Sequence, residues 1–385
     1  MTQPQADQSW SEPPAESGDH ADDDRRTGYL ELFFDLVYVY AITQVTTLLG
    51  ADLSAGGFLR SGLVLALIWW AWSINTWAAN AVSLRRAGPQ VAVLLAGGGA
   101  FFVAQAIPDA FAGGGAWFAT AYLGVRLLVL AFYWFGLSAE EDHRAALLTF
   151  APGAALSPIV VLVGGFVDQP ARQWIWSAAL AIDLAAALNA GRGAFHINAA
   201  HFAERYALII IVALGEAVVA IGLATGTVER DAGFFFAVVA TLALAGLLWW
   251  GYFGWVAEAA EAGLRSRSVH ARGVIARDLY TFFHFPMVAG IVVVAVAAKK
   301  VVAHPGEPLP DGALVALGLG LALFLSGFVA GRLRAQGTWA VERLAAIVGI
   351  VAICLVLRDA PAIAVVVACG AILGLALVVE WRRKG

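Results

Sequence analysis

Charge is what this sequence has least of: Asp, Glu, Lys and Arg make up 14% of its 385 residues, against about 25% in soluble domains. A nucleic-acid surface needs clustered basic residues, and 24 Lys and Arg against 28 Asp and Glu supply no such excess. A disordered regulator would need a polar chain, which this is not. Cysteine is nearly as scarce. Cys354 and Cys369 both lie in apolar runs near the C-terminus and give neither a disulfide framework nor a cysteine-based metal site. What fills the chain is apolar, at 61% hydrophobic residues and a mean hydropathy of +0.77. A membrane-spanning helix takes ~20 apolar residues, so twelve would use roughly 240 and leave room for tails and loops.

Polar breaks such as Arg85-Arg86-Ala87-Gly88-Pro89 divide the chain into twelve apolar runs. They lie at about residues 29–50, 58–80, 91–111, 116–137, 146–167, 174–190, 206–225, 233–256, 278–300, 312–331, 339–357 and 361–381. The fold class expected is therefore all-α, a polytopic integral membrane protein of about 12 transmembrane helices. Residues 1–27, acidic and without a hydrophobic period, read as a disordered cytoplasmic tail, and 28–385 as the transmembrane domain. The tail has no basic n-region or cleavage motif and does not read as a signal peptide. With the N-terminus inside, seventeen of the 24 Lys and Arg residues fall in cytoplasmic segments, six fall outside and Arg126 lies within a span. That bias places both termini in the cytoplasm.

A repeat six helices long is also suggested. Trp69-Trp70 in the second run is echoed by Trp249-Trp250 in the eighth, and Glu31 opening the first by Glu204 opening the seventh. Two parallel six-helix halves, 28–190 and 200–385, are a common transporter plan. Chance matching of these pairs is the competing explanation, and Asp35 has no acidic counterpart in the second half.

Three segments carry a resemblance. Leu30-Glu31-Leu32-Phe33-Phe34-Asp35-Leu36-Val37 comes first. Glu204-Arg205-Tyr206 with Val212-Ala213-Leu214-Gly215-Glu216-Ala217-Val218 is second, and Phe283-His284-Phe285-Pro286-Met287-Val288-Ala289-Gly290 is third. In this order they resemble the bacterial low temperature requirement A (LtrA) family, across most of the chain. Ala217 departs from the pattern, which has Ser after the Gly-Glu pair. The resemblance implies an integral membrane protein tied by name to growth in the cold, and it supplies no catalytic residues. The Phe-Phe-Asp segment is also similar, over fewer than twenty residues, to the first-helix signature of a non-canonical potassium channel family.

An ionisable group at mid-membrane costs at least ~2.5 kcal/mol, which makes each one a candidate site. At 1.5 Å per residue, Glu216, Asp183 and Arg126 lie near the midplane and Asp35 at a shallower level. Ala213, Ala217, Ala220 and Ala224 share a face with Glu216, and Ala179, Ala186, Ala187 and Ala190 with Asp183, so both acids should point into the bundle. One arginine for two carboxyls leaves one acid uncompensated, as a proton relay or cation site requires. The alternative is that Arg126 and Asp183 form a structural clamp and Glu216 stays permanently protonated. Asp35 with Glu31, placed near the headgroups, makes an acidic stripe that serves as a cation vestibule or pairs with an arginine of a cytoplasmic loop. His284, next to Pro286, is either a proton acceptor at a helix break or a packed capping group. His196, His201 and Glu204 lack the second pair that would complete a metal shell.

The ion and proton pathway candidates are thus Glu216, Asp35, Asp183, Arg126, Glu31 and His284. No catalytic residue, metal or cofactor is expected, and the chain does not read as an enzyme. The preferred function is an ion- or proton-coupled transporter or cation channel, with membrane lipids and protons or monovalent cations as partners and an oligomer left open. The alternatives are a non-transporting sensor or scaffold supporting growth in the cold, and a membrane-embedded lipid-acting enzyme.

Overall fold

The computed structural model describes residues 27–82, 84, 86–137, 141–190, 197–224 and 230–383, without the side chains of 135–137, 141–149, 190, 269 and 270. The expected acidic tail, except Thr27, and His196 lie outside the described residues. The helices are α1 (Tyr29–Ala51), α2 (Ala55–Ala81), α3 (Ala87–Ala106), α4 (Gly115–Leu137), α5 (Glu141–Gly165), α6 (Ala171–Ala190), α7 (Ala199–Ala224) and α8 (Ala232–Phe253). Two short helices follow, α9 (Val256–Arg265) and α10 (Val269–Ala276), then a π-helical turn (Arg277–Phe282). The chain ends in α11 (His284–Ala303), α12 (Asp311–Gln336), α13 (Val341–Val356) and α14 (Ala362–Arg382). No strand occurs among the described residues beyond one isolated bridge between Pro308 and Pro361.

Every apolar run holds one long helix, the ninth opening with the π turn, while the Arg-rich connection after the eighth run folds into α9 and α10. By length and apolarity, nine segments among the described residues qualify to cross a membrane; α5, α6 and α13 fall short. The boundaries follow local chemistry. Ser54 accepts from Gly57 N–H at 3.2 Å to cap α2, and Asp231 accepts from Phe234 N–H at 2.7 Å to cap α8. Gly337, with φ of 68°, ends α12 in the left-handed conformation a side chain would resist. The largest departure is α7, which starts at Ala199 rather than near residue 206. His201, Glu204 and Arg205 read as loop residues by polarity but are helical.

Neighbours repeat in order. In the first half α1 packs on α3, then α3 on α4, α4 on α5, α5 on α6, α6 on α2 and α2 back on α1. In the second, α7 packs on α11, then α12, α13, α14, α8 and back to α7. The two rings meet where α1 and α2 touch α7 and α11. The Trp-Trp echo does not share this likeness: Trp69 and Trp70 are buried, whereas Trp249 is exposed. In the second ring α11 and α12 cross backbone to backbone, since a Cβ on Gly290 would lie 2.4 Å from the Gly320 carbonyl oxygen. Small residues permit that approach.

Three loop contacts fix where helices begin and end. Arg172, at the start of α6, donates to the carbonyls of Ala110 and Ala112 at 2.8 Å in the α3–α4 link. Arg277 donates to the Ala187 carbonyl near the end of α6 at 3.3 Å. Ala362 N–H, at the start of α14, donates to Glu307 in the α11–α12 link at 2.8 Å. The exterior is apolar, with Leu94, Phe101, Phe236, Val348 and Leu375 exposed, while Glu31, Asp35, Arg126, Asp183, Arg205 and Glu216 are buried. Charge inside and hydrocarbon outside is the distribution a bilayer imposes.

Candidate functional site

The candidate residues concentrate on one seam, between α1 and α7. Side-chain bonds link positions 31 to 201 and 205, 35 to 205, and 43 and 46 to 216, offsets of 170 to 174 residues throughout. A constant offset means that the two helices run parallel and in step. At their starting ends, Thr27 N–H donates to Glu204 at 2.7 Å.

Near that end lies an ionic cluster. Arg205 donates to Glu31 Oε1 at 3.1 Å and to Asp35 Oδ1 at 2.7 Å, bridging two carboxyls one helical turn apart. Trp72 Nε1–H from α2 donates to the same Asp35 oxygen at 2.9 Å. The other oxygen, Oδ2, is buried with no hydrogen-bond partner. Two expectations are corrected here. Glu31 is 1% exposed rather than solvated at the headgroups, because His201 and Arg205 of α7 close over it. Asp35 pairs with an arginine, but one inside a helix, since Arg205 is fully buried within α7.

The hydrogen bonds also set the His201 tautomer. Asn80 accepts from Asn198 N–H at 3.1 Å through Oδ1 and donates to Asn198 O at 3.1 Å through Nδ2, which fixes its amide. The Nδ2 group therefore donates to His201 Nδ1 at 2.9 Å, and His201 Nε2–H donates to Glu31 at 2.9 Å. His201 thus serves Glu31. Among the described residues no group of three or more His, Cys, Asp and Glu is placed to hold a metal.

Further along the seam is Glu216, 1% exposed and without a basic partner among the described residues. Thr43 Oγ1 lies 2.5 Å from its Oε2 and Thr46 Oγ1 2.7 Å from its Oε1. Each hydroxyl has a second acceptor within reach: Val39 O at 3.0 Å for Thr43, and Thr43 O at 2.7 Å for Thr46. A hydroxyl has one proton to donate and can accept at the same time. When the carboxyl is ionised, both hydroxyls donate to it. When it carries a proton, it donates to one of them, and that hydroxyl turns its own proton to the backbone carbonyl. Both states keep the two hydrogen bonds between the carboxyl and the hydroxyls. Ala213, Ala217 and Ala220 are buried on the same face, as the spacing implied.

The structure brings Arg126 and Asp183 together, away from the seam. Arg126 donates to both Asp183 oxygens, at 2.8 and 2.7 Å, and to the Tyr122 hydroxyl at 2.8 Å and Ala154 O at 3.1 Å. Ser157 adds a donor to Asp183 at 2.6 Å. His284 stands apart as well. Its Nδ1 donates to Leu279 O at 2.9 Å, so Nε2 accepts from the Tyr252 hydroxyl at 2.8 Å. The irregularity beside it is the π-helical turn, not a proline kink: Pro286 sits in the first turn of α11, where the missing N–H has no partner to lose. Tyr206 and Trp77 both bond to Thr281 of that turn at 2.9 Å, which ties it to α7 and α2.

Sequence reasoning missed Thr43, Thr46, Arg205 and the pair Arg343–Glu380. The pair is held at 2.9 Å, with Arg343 also donating to Gly251 O at 3.1 Å. The threonines left a faint signal, in their i, i+3 spacing on the helix whose offset matches that of Glu216.

The family profile of the bacterial low temperature requirement A protein matches residues 26–379. The chain belongs to the LtrA family. The match includes α1, α7 and α11, so the resemblance read from three segments holds over nearly the whole chain. An uncharacterized protein of Rhizobium meliloti (strain 1021) is 28% identical over 320 residues, covering 79% of this chain and 76% of that relative. No solved structure matches. With its apolar exterior and nine qualifying helices among the described residues, this LtrA-family chain is a multi-pass helical membrane protein.

Proposed function

We propose that the chain moves protons across a bacterial inner membrane along the α1–α7 seam, as a proton-coupled transporter or a channel, with Glu216 as the carrier. The observation that carries this reading is the pairing of Glu216 with two hydroxyls that each own a second acceptor. A buried carboxyl held by a guanidinium is committed to one charge state. One held by rotatable hydroxyls exchanges a proton without stranding a polar group, and so escapes the ~1–3 kcal/mol cost of a buried unsatisfied atom. Asp35, with one unpartnered oxygen, and Glu31 lie about two turns and more nearer the start of α1 and form the approach. His284 and the Arg126–Asp183 pair have no place on this path. A monovalent cation is the less favoured cargo, because Glu216 has two hydroxyls around it rather than a cage of oxygens. The sensor and lipid-enzyme readings have no comparable observation behind them.

Twelve crossings with both termini in the cytoplasm fit the loop contacts. If α6 begins beside the α3–α4 link, α4 and α5 must carry the chain away from that level and back. If α14 begins beside the α11–α12 link, α13 must recross after α12. The repeated neighbour order supports two six-helix halves, and the parallel α1 and α7 are what an odd number of intervening crossings, α2 to α6, requires.

The test is flux in proteoliposomes holding a pH-sensitive dye, driven by a potassium gradient. Wild type is expected to pass protons, and Glu216→Gln, which keeps the shape and the threonine contacts, to fall to the rate of protein-free vesicles. Equal flux in the two proteins would overturn the assignment of Glu216. No flux in either folded protein would overturn the proton path.

A further inference from the structure

A second site lies outside the α1–α7 seam, at the Arg-rich end of the second ring. A cavity of about 160 Å³ opens between α9, the end of α12 and the start of α13, beside Glu380 of α14. Val256, Phe283, Met287 and Phe328 make one wall apolar, while Arg332, Gln336 and Arg343 contribute polar groups. Arg343 is 1% exposed, and its guanidinium lies over the Phe328 ring with Cζ 3.9 Å from the centroid. Its Nε and Nη2 are committed, to Glu380 and Gly251. Its Nη1 is buried with no hydrogen-bond partner. Arg332, half-buried on the same lining and 3.9 Å from Glu342, brings a second guanidinium.

A buried guanidinium edge left unmatched costs free energy unless something accepts from it. A water would satisfy the edge but leave the apolar wall facing empty space, and a void of about 150 Å³ is large enough for an aromatic ring. An acceptor with a hydrocarbon part satisfies both. We infer that this cavity binds an anionic phosphate headgroup, the oxygens on Arg343 Nη1 and Arg332 and the attached apolar segment against Met287 and Phe328. Guanidinium is suited to that ligand because its free Nη1 N–H groups make charge-assisted hydrogen bonds to phosphate oxygens. The position fits as well: Arg265, Arg267, Arg272 and Arg334 gather at the same end, where a bilayer presents its headgroups. The inference does not depend on proton movement, since no residue of the α1–α7 seam lines the cavity.

The experiment measures lipid retention by native mass spectrometry on the full chain, purified in detergent and incubated with equal phosphatidylglycerol and phosphatidylcholine. Wild type is expected to keep phosphatidylglycerol in preference by about tenfold, because both lipids offer the phosphate but choline brings a cation toward Arg332. Removing Arg343 takes the guanidinium from buried Glu380 and risks unfolding, so two gentler variants carry the test. Arg332→Gln should reduce the preference severalfold. Gly331→Leu should abolish it by filling the cavity: a Cβ there meets only Leu279 Cδ2 at 3.9 Å, so the backbone need not move. Competition by inorganic phosphate identifies a free anion as the ligand's source, and its failure to compete identifies the lipid. Undiminished preference in Gly331→Leu, or no preference in wild type together with no binding of inorganic phosphate, overturns the site.

Discussion

Asp183 and Glu216 are both buried acids on helices lined with alanine, yet their surroundings differ in kind. Asp183 receives both nitrogens of a guanidinium and a serine hydroxyl, with the Arg126 and Asp183 side chains 1% and 0% exposed. Glu216 receives two threonine hydroxyls and, among the described residues, no guanidinium. The first arrangement locks one charge state and holds α4 to α6; the second leaves the charge state free. The lesson is that burial alone does not mark an acid for chemistry. What matters is whether its partners tolerate both of its forms.

The comparison breaks most visibly at Arg126. Arg126→Met leaves Asp183 buried without its cation and should cost about 3–5 kcal/mol of stability. The measurement is the denaturation midpoint in detergent, followed by tryptophan fluorescence. Adding Asp183→Leu should return most of that loss, because an apolar pair replaces the ions without stranding either. A normal midpoint for the single variant would mean that Arg126 reaches water and that the two acids are not so different. A smaller effect is expected at Thr46→Val, which removes one donor to Glu216: about 0.6–2 kcal/mol in stability. Its flux should fall too, since the remaining hydroxyl cannot serve both oxygens; unchanged flux would show that Thr46 merely packs. The smallest change in stability belongs to Glu216→Gln, under about 1 kcal/mol, because the amide keeps hydrogen bonds to both hydroxyls. Loss of flux at a nearly unchanged midpoint would separate the two acids most sharply.

Much of the fold was legible because apolar length is a strong signal, and all twelve runs became helices. The start of α7 was not, for a physical reason. His201, Glu204 and Arg205 look like loop residues until Glu31, Asp35 and the backbone at Thr27 are placed opposite them, and no local pattern reveals a partner 170 residues away. Arg205 counted among the cytoplasmic charges by sequence, although it is buried in the helix. Arg343 and Glu380 were hidden likewise, among charges that mark span ends. Glu216 was visible because a lone acid in an alkyl run stands out, whereas its threonines did not, since Thr is unremarkable in such helices.

The backbone crossing of Gly290 and Gly320 has a mechanical consequence. Where two helices touch through main chain, no side chain is available to act as a bearing or a spacer, so neither can roll or slide past the other without collision. The α11–α12 pair therefore works as a fixed post within the second ring, where α11, buried along most of its length, also faces α1 and α2 of the first. Displacement of one ring against the other has to be taken up elsewhere. The α1–α7 interface is joined instead by side chains, through the threonine hydroxyls on Glu216 and the ion pairs of Arg205 with Glu31 and Asp35.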